Sequence, residues 1–217
     1  MATAIPGIKR PVGRPRSQSS RLAILETAFQ HLRTKPFASI SPLHIANEAG
    51  VSSATVYRWW PTKEALLLDA ALDKLDPQLI LKTEGEPLER LRDYVLKVSR
   101  IFIGEYGIVI ARIITAIQDN PTLRREFLRR IWAPRDKEAR ALVEEAINEG
   151  TLPPGMDIGA FLDAIYGPLV SRLLVRHESM DEAFVHTIFD VVVSGTQALG
   201  RQGRSFGLVA SAEQIPA

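Results

Sequence analysis

Apolar residues along most of the chain recur at three- and four-residue steps, the period of one face of an α-helix. The first such stretch, 19–33, carries Leu22, Leu25, Phe29 and Leu32, with Ser19 or Ser20 as its cap, and Pro36 ends it. Ser41 caps a second helix that has Pro42 in its first turn, where a missing N–H costs nothing. Gly50 stops that helix. Ser52 opens a third, short helix through Trp59 or Trp60, and Pro61 follows it. Thr62 caps a fourth, expected to run to about Ile80.

Beyond the break at Gly85–Pro87 the pattern stays helical, and helices are expected near 87–103, 106–118, 121–149, 157–177 and 181–199. Asn120–Pro121 and Asp157 read as starts, Gly150 and Gly200 as stops. Pro134 should kink the 121–149 stretch near Trp132, and Pro168 should bend the helix that holds it. No convincing strand alternation and no internal repeat interrupts the series, so the expected class is all-α. Four segments follow: a disordered arm 1–18, a compact unit 19–66, a separate helical domain 67–200 and a flexible tail 201–217.

Charge divides the chain in the same way. Residues 1–63 hold nine Lys and Arg against Glu26 and Glu48, a net of +7, whereas the remainder holds 18 against 23, a net of −5. A basic block beside an acidic one points to a polyanion partner, although a solvated basic surface explains the charge alone equally well. The chain has no cysteine, which excludes disulfides and thiolate metal sites and fits a cytoplasmic location. No apolar run approaches the roughly 20 residues that span a bilayer, so no membrane partner is expected. The basic N-terminus lacks the apolar core of a secretory signal.

The segment with chemical content runs from Ser41 to Trp60. Two short helices joined by a tight turn must nearly touch; Ala46 permits that approach, and Gly50 permits the positive φ of the turn. Ile45, Ala49, Val51 and Val56 form the expected seam. Ser53, Thr55, Tyr57 and Arg58 are left on the outer face of the third helix, a rod that fits a major groove about 12 Å wide.

Residues 20–66 resemble the DNA-binding domain of the TetR family. The resemblance is carried by Ile45-Ala46-Asn47-Glu48-Ala49-Gly50-Val51-Ser52, Thr55-Val56-Tyr57 and Lys63-Glu64-Ala65-Leu66. Two positions depart from the family pattern: Pro36 stands where Gly usually precedes the aromatic Phe37, and Trp59-Trp60-Pro61 replaces the usual aromatic pair. The resemblance implies that Tyr57 and Lys63 bind phosphates, with Ser41 and Ser52 as further phosphate donors or plain caps. It makes Ser53, Thr55 and Arg58 the candidates for base edges. In the arm, Lys9-Arg-Pro-Val-Gly-Arg-Pro-Arg16 looks like an AT-hook core whose Arg14 and Arg16 would enter an A·T minor groove; a basic tail of non-specific affinity is the alternative.

In TetR-like proteins the remainder dimerises and binds a small molecule, and Ile165–Leu174 followed by a helix from Asp181 resembles one subset of such domains. The last two helices would then form a four-helix interface in a homodimer, with Val191, Val192, Ala198 and Leu199 near it. Phe102, Tyr106, Ile110 and Ile113 are candidate walls of an apolar pocket. Ile114, Ile117, Trp132, Phe161 and Tyr166 extend that set, and a plain core stripe is the competing account. Arg112 interrupts the apolar run 108–117 and is a candidate either to pair with a ligand carboxylate or to be a solvent-facing or ion-paired residue.

The expected function is a DNA-binding transcriptional regulator, a repressor that holds a palindromic operator as a homodimer and is released by a largely apolar ligand. No cofactor or metal is expected. An enzyme finds little support: no Gly-x-Gly-x-x-Gly, Gly-Lys-Ser/Thr or Gly-x-Ser-x-Gly occurs, and the four histidines do not cluster in sequence. An architectural A·T-preferring DNA binder and a TetR-like activator without an inducer stand as alternatives.

Overall fold

The computed structural model describes residues 18–202. The arm with Arg14 and Arg16, and most of the tail expected at 201–217, lie outside them. No strand occurs among the described residues.

Helix α1 (Gln18–Thr34) buries Ile24, Leu25, Ala28, Phe29 and Leu32. Leu22 was expected on that stripe but is half exposed. It lies two residues before Ile24, about 200° around the helix from it. A single 3₁₀ turn (Phe37–Ser39) follows Pro36 and sinks Phe37 into the core. Helices α2 (Pro42–Glu48) and α3 (Ser53–Trp59) come next. Helix α4 (Lys63–Leu75) is capped by the Thr62 hydroxyl, which accepts from the Ala65 N–H. It stops short of the expected Ile80. Pro77 supplies no N–H to continue it, and the chain turns through a 3₁₀ segment, Asp76–Gln78.

Helices α5 (Pro87–Ile103), α6 (Gly107–Ala116), α7 (Pro121–Phe127), α8 (Ala133–Asn148), α9 (Ile158–Val175) and α10 (Glu182–Arg201) complete the chain. The stretch expected as one kinked helix, 121–149, is interrupted by a π turn at Leu128–Trp132. Pro134 lies two residues past this turn and has no N–H for the α-helical bond to Arg130; the wider π turn accommodates that loss. Asn120, Asp157 and Asp181 each accept a backbone N–H three residues on, which fixes the starts of α7, α9 and α10.

One apolar cluster joins α1–α4 to α6 and α7, through residues such as Phe29, Leu67, Ile110 and Phe127. A second joins α5, α8, α9 and α10, through Leu91, Val143, Ile165 and Phe189. The core thus crosses the boundary expected at 66/67, and α4 packs on both sides of it. Helix α9 has the length and composition of a membrane span, with mean hydropathy 1.5 over 18 residues. This corrects the reading that no run approaches that length. Its Phe161, Leu162, Ile165, Leu169 and Leu173 are nevertheless buried among neighbouring helices.

Candidate nucleic-acid interface and internal cavity

The α2–α3 corner is built by backbone chemistry. Gly50 has φ +66°, a region costly for side chains with a Cβ. Its N–H bonds Asn47 O at 3.2 Å, and the Val51 N–H reaches back to Ala46 O at 3.0 Å, closing the end of α2. Ile45, Ala46 and Val56 are fully buried at the crossing, with Ala49 and Val51 packed partly against them. A buried edge of His31 ties α1 to α2: its Nε2 lies 2.8 Å from Glu48 Oε2. That hydrogen bond holds the Glu48 carboxyl below its usual 4.5.

The sequence-selected polar residues divide into two groups. Tyr57 is half exposed on α3, and Arg58 is exposed beside it with no hydrogen-bond or ion-pair partner among the described residues. Ser52 and Thr55 face each other: the Ser52 Oγ accepts the Thr55 N–H at 3.2 Å and lies 2.9 Å from the Thr55 hydroxyl. Ser53 is partly exposed in the first turn of α3, and Ser41 stands at the α2 N-cap without a side-chain capping bond. Lys63 is held inward, donating to the Phe37 and Ala38 carbonyls at 3.2 and 3.1 Å with its ammonium 5.3 Å from the Phe37 ring. Thus one of the two residues given a phosphate role by resemblance also secures the 3₁₀ turn.

A cavity of about 140 Å³ lies between α5, α6, the π turn, α8 and α9, with Leu75 of α4 and Phe127 of α7 also in its wall. Of the pocket residues chosen from sequence, Phe102, Ile110, Trp132 and Tyr166 line it, as does Ile114. The other four do not. Tyr106 packs its ring 5.5 Å from Phe29, Ile113 and Phe161 are buried in core clusters, and Ile117 packs on the first of these. Tyr94, Leu75 and Leu79 are among the wall residues not chosen from sequence. Tyr94 repeats with Leu91 and Val95 on the buried face of α5, the signal that could have found it. Helical periodicity separates inside from outside, but it does not separate a wall from filled core.

Polar links connect this cavity to α3. Asp69 on α4 accepts the Trp60 indole N–H at 2.7 Å, and its other oxygen pairs with Arg130 in the π turn. Arg21 of α1 lies 3.9 Å from the same carboxylate and about 6 Å from both Trp rings. Ile131 and Trp132, the next residues of the π turn, line the cavity. Asn120 at the α7 cap donates to Glu64 in the first turn of α4 at 3.0 Å. Arg112 is partly exposed, and its guanidinium donates to the Leu32 carbonyl at the end of α1 at 2.5 Å. Among the described residues, no cluster of His, Asp or Glu is arranged to hold a metal.

A helix-turn-helix unit carried on a helical body with an internal apolar cavity defines a class, the DNA-binding transcriptional regulator with a ligand-binding domain. Residues 24–70 match the family model for bacterial regulatory proteins of the tetR family, and residues 82–192 match the tetracyclin repressor-like C-terminal domain. The chain belongs to the TetR family. It is 32% identical over 186 residues to the uncharacterized HTH-type transcriptional regulator YdeS of Bacillus subtilis, covering 86% of this chain and 94% of that one. It superposes on the TetR family transcription regulator SCO0332 with TM-score 0.67 and 25% identity, over 82% of this chain and 98% of the other. The fold is also that of FadR from Bacillus subtilis, solved in complex with stearoyl-CoA, at TM-score 0.67 and 20% identity, over 80% and 98% of the two chains. The family is a non-enzymatic one whose members bind operator DNA and small-molecule ligands.

Proposed function

We propose that this regulator is a cytoplasmic repressor that grips a palindromic operator as a homodimer and is released when an apolar ligand enters the cavity. The observation that carries the DNA reading is the pairing of Tyr57 and Arg58 on the outer face of α3, with Arg58 free of any internal partner among the described residues. Arg58 reads a base edge or a phosphate, Tyr57 a phosphate, and Ser53 and Thr55 flank them. Ser41 and Ser52 offer further phosphate donors at the starts of α2 and α3. Lys63 keeps one ammonium proton for a phosphate beside the N-terminus of α4, where unpaired N–H groups favour an anion. Arg14 and Arg16 of the arm follow the adjacent minor groove.

Support for a second copy comes from α9 and α10. Only 28% of the α9 span is buried within one chain despite its apolarity. Val191 is 63% exposed, and a Cβ placed on Gly167 or Gly195 would meet nothing within 4 Å. These faces fit a four-helix interface. Release follows from linkage, because a ligand that displaces the π turn pulls Arg130 against Asp69 and hence Trp60 at the end of α3. Couplings of this kind are typically about 1–3 kcal/mol.

The test is Arg58→Ala in a binding titration against the operator obtained by selection. A base contact costs about 1–3 kcal/mol and relaxes preference at one position of each half-site, whereas a phosphate contact lowers the salt slope by about one. Unchanged affinity, preference and salt slope together would remove α3 from the interface.

A further inference from the structure

Two tyrosine hydroxyls beside the cavity have no hydrogen-bond partner among the described residues. The Tyr94 and Tyr166 Oη atoms are both buried, and neither has a hydrogen bond among the described residues. Both side chains line the same cavity, from α5 and α9. Tyr94 is 2% exposed. Burial pushes its hydroxyl up to about 12 and raises that of Tyr166 as well, so both are protonated donors throughout the working range. A buried donor without an acceptor is rarer and costlier than an unused lone pair.

Two of the three charged groups at the same wall are already engaged. Arg135 donates to Asp76 at 2.5 Å, and Asp136 accepts from Arg140 at 2.6 Å. Asp163 is exposed at the rim. An anionic ligand would find the one cavity-lining arginine occupied and two carboxylates nearby. The remaining wall is aliphatic and aromatic, from Leu75, Ile101, Phe102, Ile110 and Leu162 among others.

We infer that the effector is an uncharged, compact, mainly apolar molecule bearing a hydrogen-bond acceptor such as a carbonyl, which the Tyr94 and Tyr166 hydroxyls take together. This inference rests on the reading of the cavity as the effector site and specifies its chemistry. The volume of about 140 Å³ accommodates a body near the size of one aromatic ring.

Calorimetric titration of the full chain with four probes of matched size tests this: acetophenone, ethylbenzene, benzoate and 1-phenylethylamine. Acetophenone is expected to bind most tightly, with each hydroxyl contributing roughly 2- to 10-fold over ethylbenzene. Tyr94→Phe and Tyr166→Phe should each remove their part of that preference while leaving ethylbenzene affinity unchanged. Both variants should be at least as heat-stable as the parent without ligand, since each loses a hydroxyl that bonds nothing. Equal binding of acetophenone and ethylbenzene, or a preference for benzoate or the amine, overturns the inference and leaves the cavity standing as the effector site. Failure of all four probes to bind counts against the cavity itself and overturns both readings.

Discussion

Replacing Asp69 by Ala should loosen the joint between the two ends of the molecule, and its cost can be worked from the contacts. The side chain removes an acceptor from the Trp60 indole at 2.7 Å, and Trp60 is 3% exposed. A buried donor left unpaired costs about 1–3 kcal/mol. Arg130 loses its carboxylate partner in the same step. Both members of that pair keep about a fifth of their side-chain surface in solvent, so water screens the pair and its share is at most about 1 kcal/mol. The sum is about 1–4 kcal/mol. The assay is urea unfolding followed by tryptophan fluorescence, at fixed protein concentration because a dimer's stability depends on it. A double-mutant cycle with Trp60→Phe should return a coupling of about 1 kcal/mol or more. An Asp69→Ala protein within about 0.5 kcal/mol of the parent would refute the claim that this carboxylate holds α3, α4 and the π turn together.

Three further outcomes follow from other contacts. A Cβ on Gly107 would stand 2.0 Å from the Phe102 carbonyl oxygen, a backbone atom that cannot swing aside, so Gly107→Ala should cost about 1–3 kcal/mol by thermal unfolding and alter probe binding through Phe102. Glu26 and Glu48 both have carboxyl pKa values held below 4.5, Glu26 chiefly by its hydrogen bond to Lys74 and Glu48 by that to His31. Their stabilisation is therefore present above pH 4.5 and lost as pH falls through the lower folded values. A Glu26→Gln, Glu48→Gln double variant should lose less of its melting temperature over that acid range than the parent. Deleting residues 1–17 should weaken operator binding and flatten its salt dependence, and an unchanged slope would deny the arm any phosphate or minor-groove contact.

Much of the architecture was legible because its signals are local. Ser52, Thr62, Asn120, Asp157 and Asp181 are capping residues whose side chains accept a backbone N–H three positions on, and such chemistry is written in adjacent residues. Gly50 is similar, since a tight corner needs its positive φ. What escaped depends on distant partners. The π turn follows from Pro134 meeting a helix already committed to packing, and a kink was the simpler expectation. Tyr106 and Trp132 are both aromatic, yet one packs tilted against Phe29 of α1 and the other lines a void; no spacing rule separates them. Asp69 and Arg130 are 61 positions apart, and neither stands out within its own helix. Lys63 has a second task that the resemblance does not indicate: its ammonium donates to two carbonyls of the Phe37 turn.

The account stands or falls on α3 reading DNA from two symmetry-related copies. Selection from random-sequence duplexes with the full-length protein, followed by footprinting, measures this directly. The expected result is one inverted repeat, with half-site centres one helical turn apart or a multiple of it, bound at about 10⁻⁸–10⁻¹¹ M and weakened by Arg58→Ala. Enrichment of A·T-rich sequence without an inverted repeat, or none at all, would contradict it.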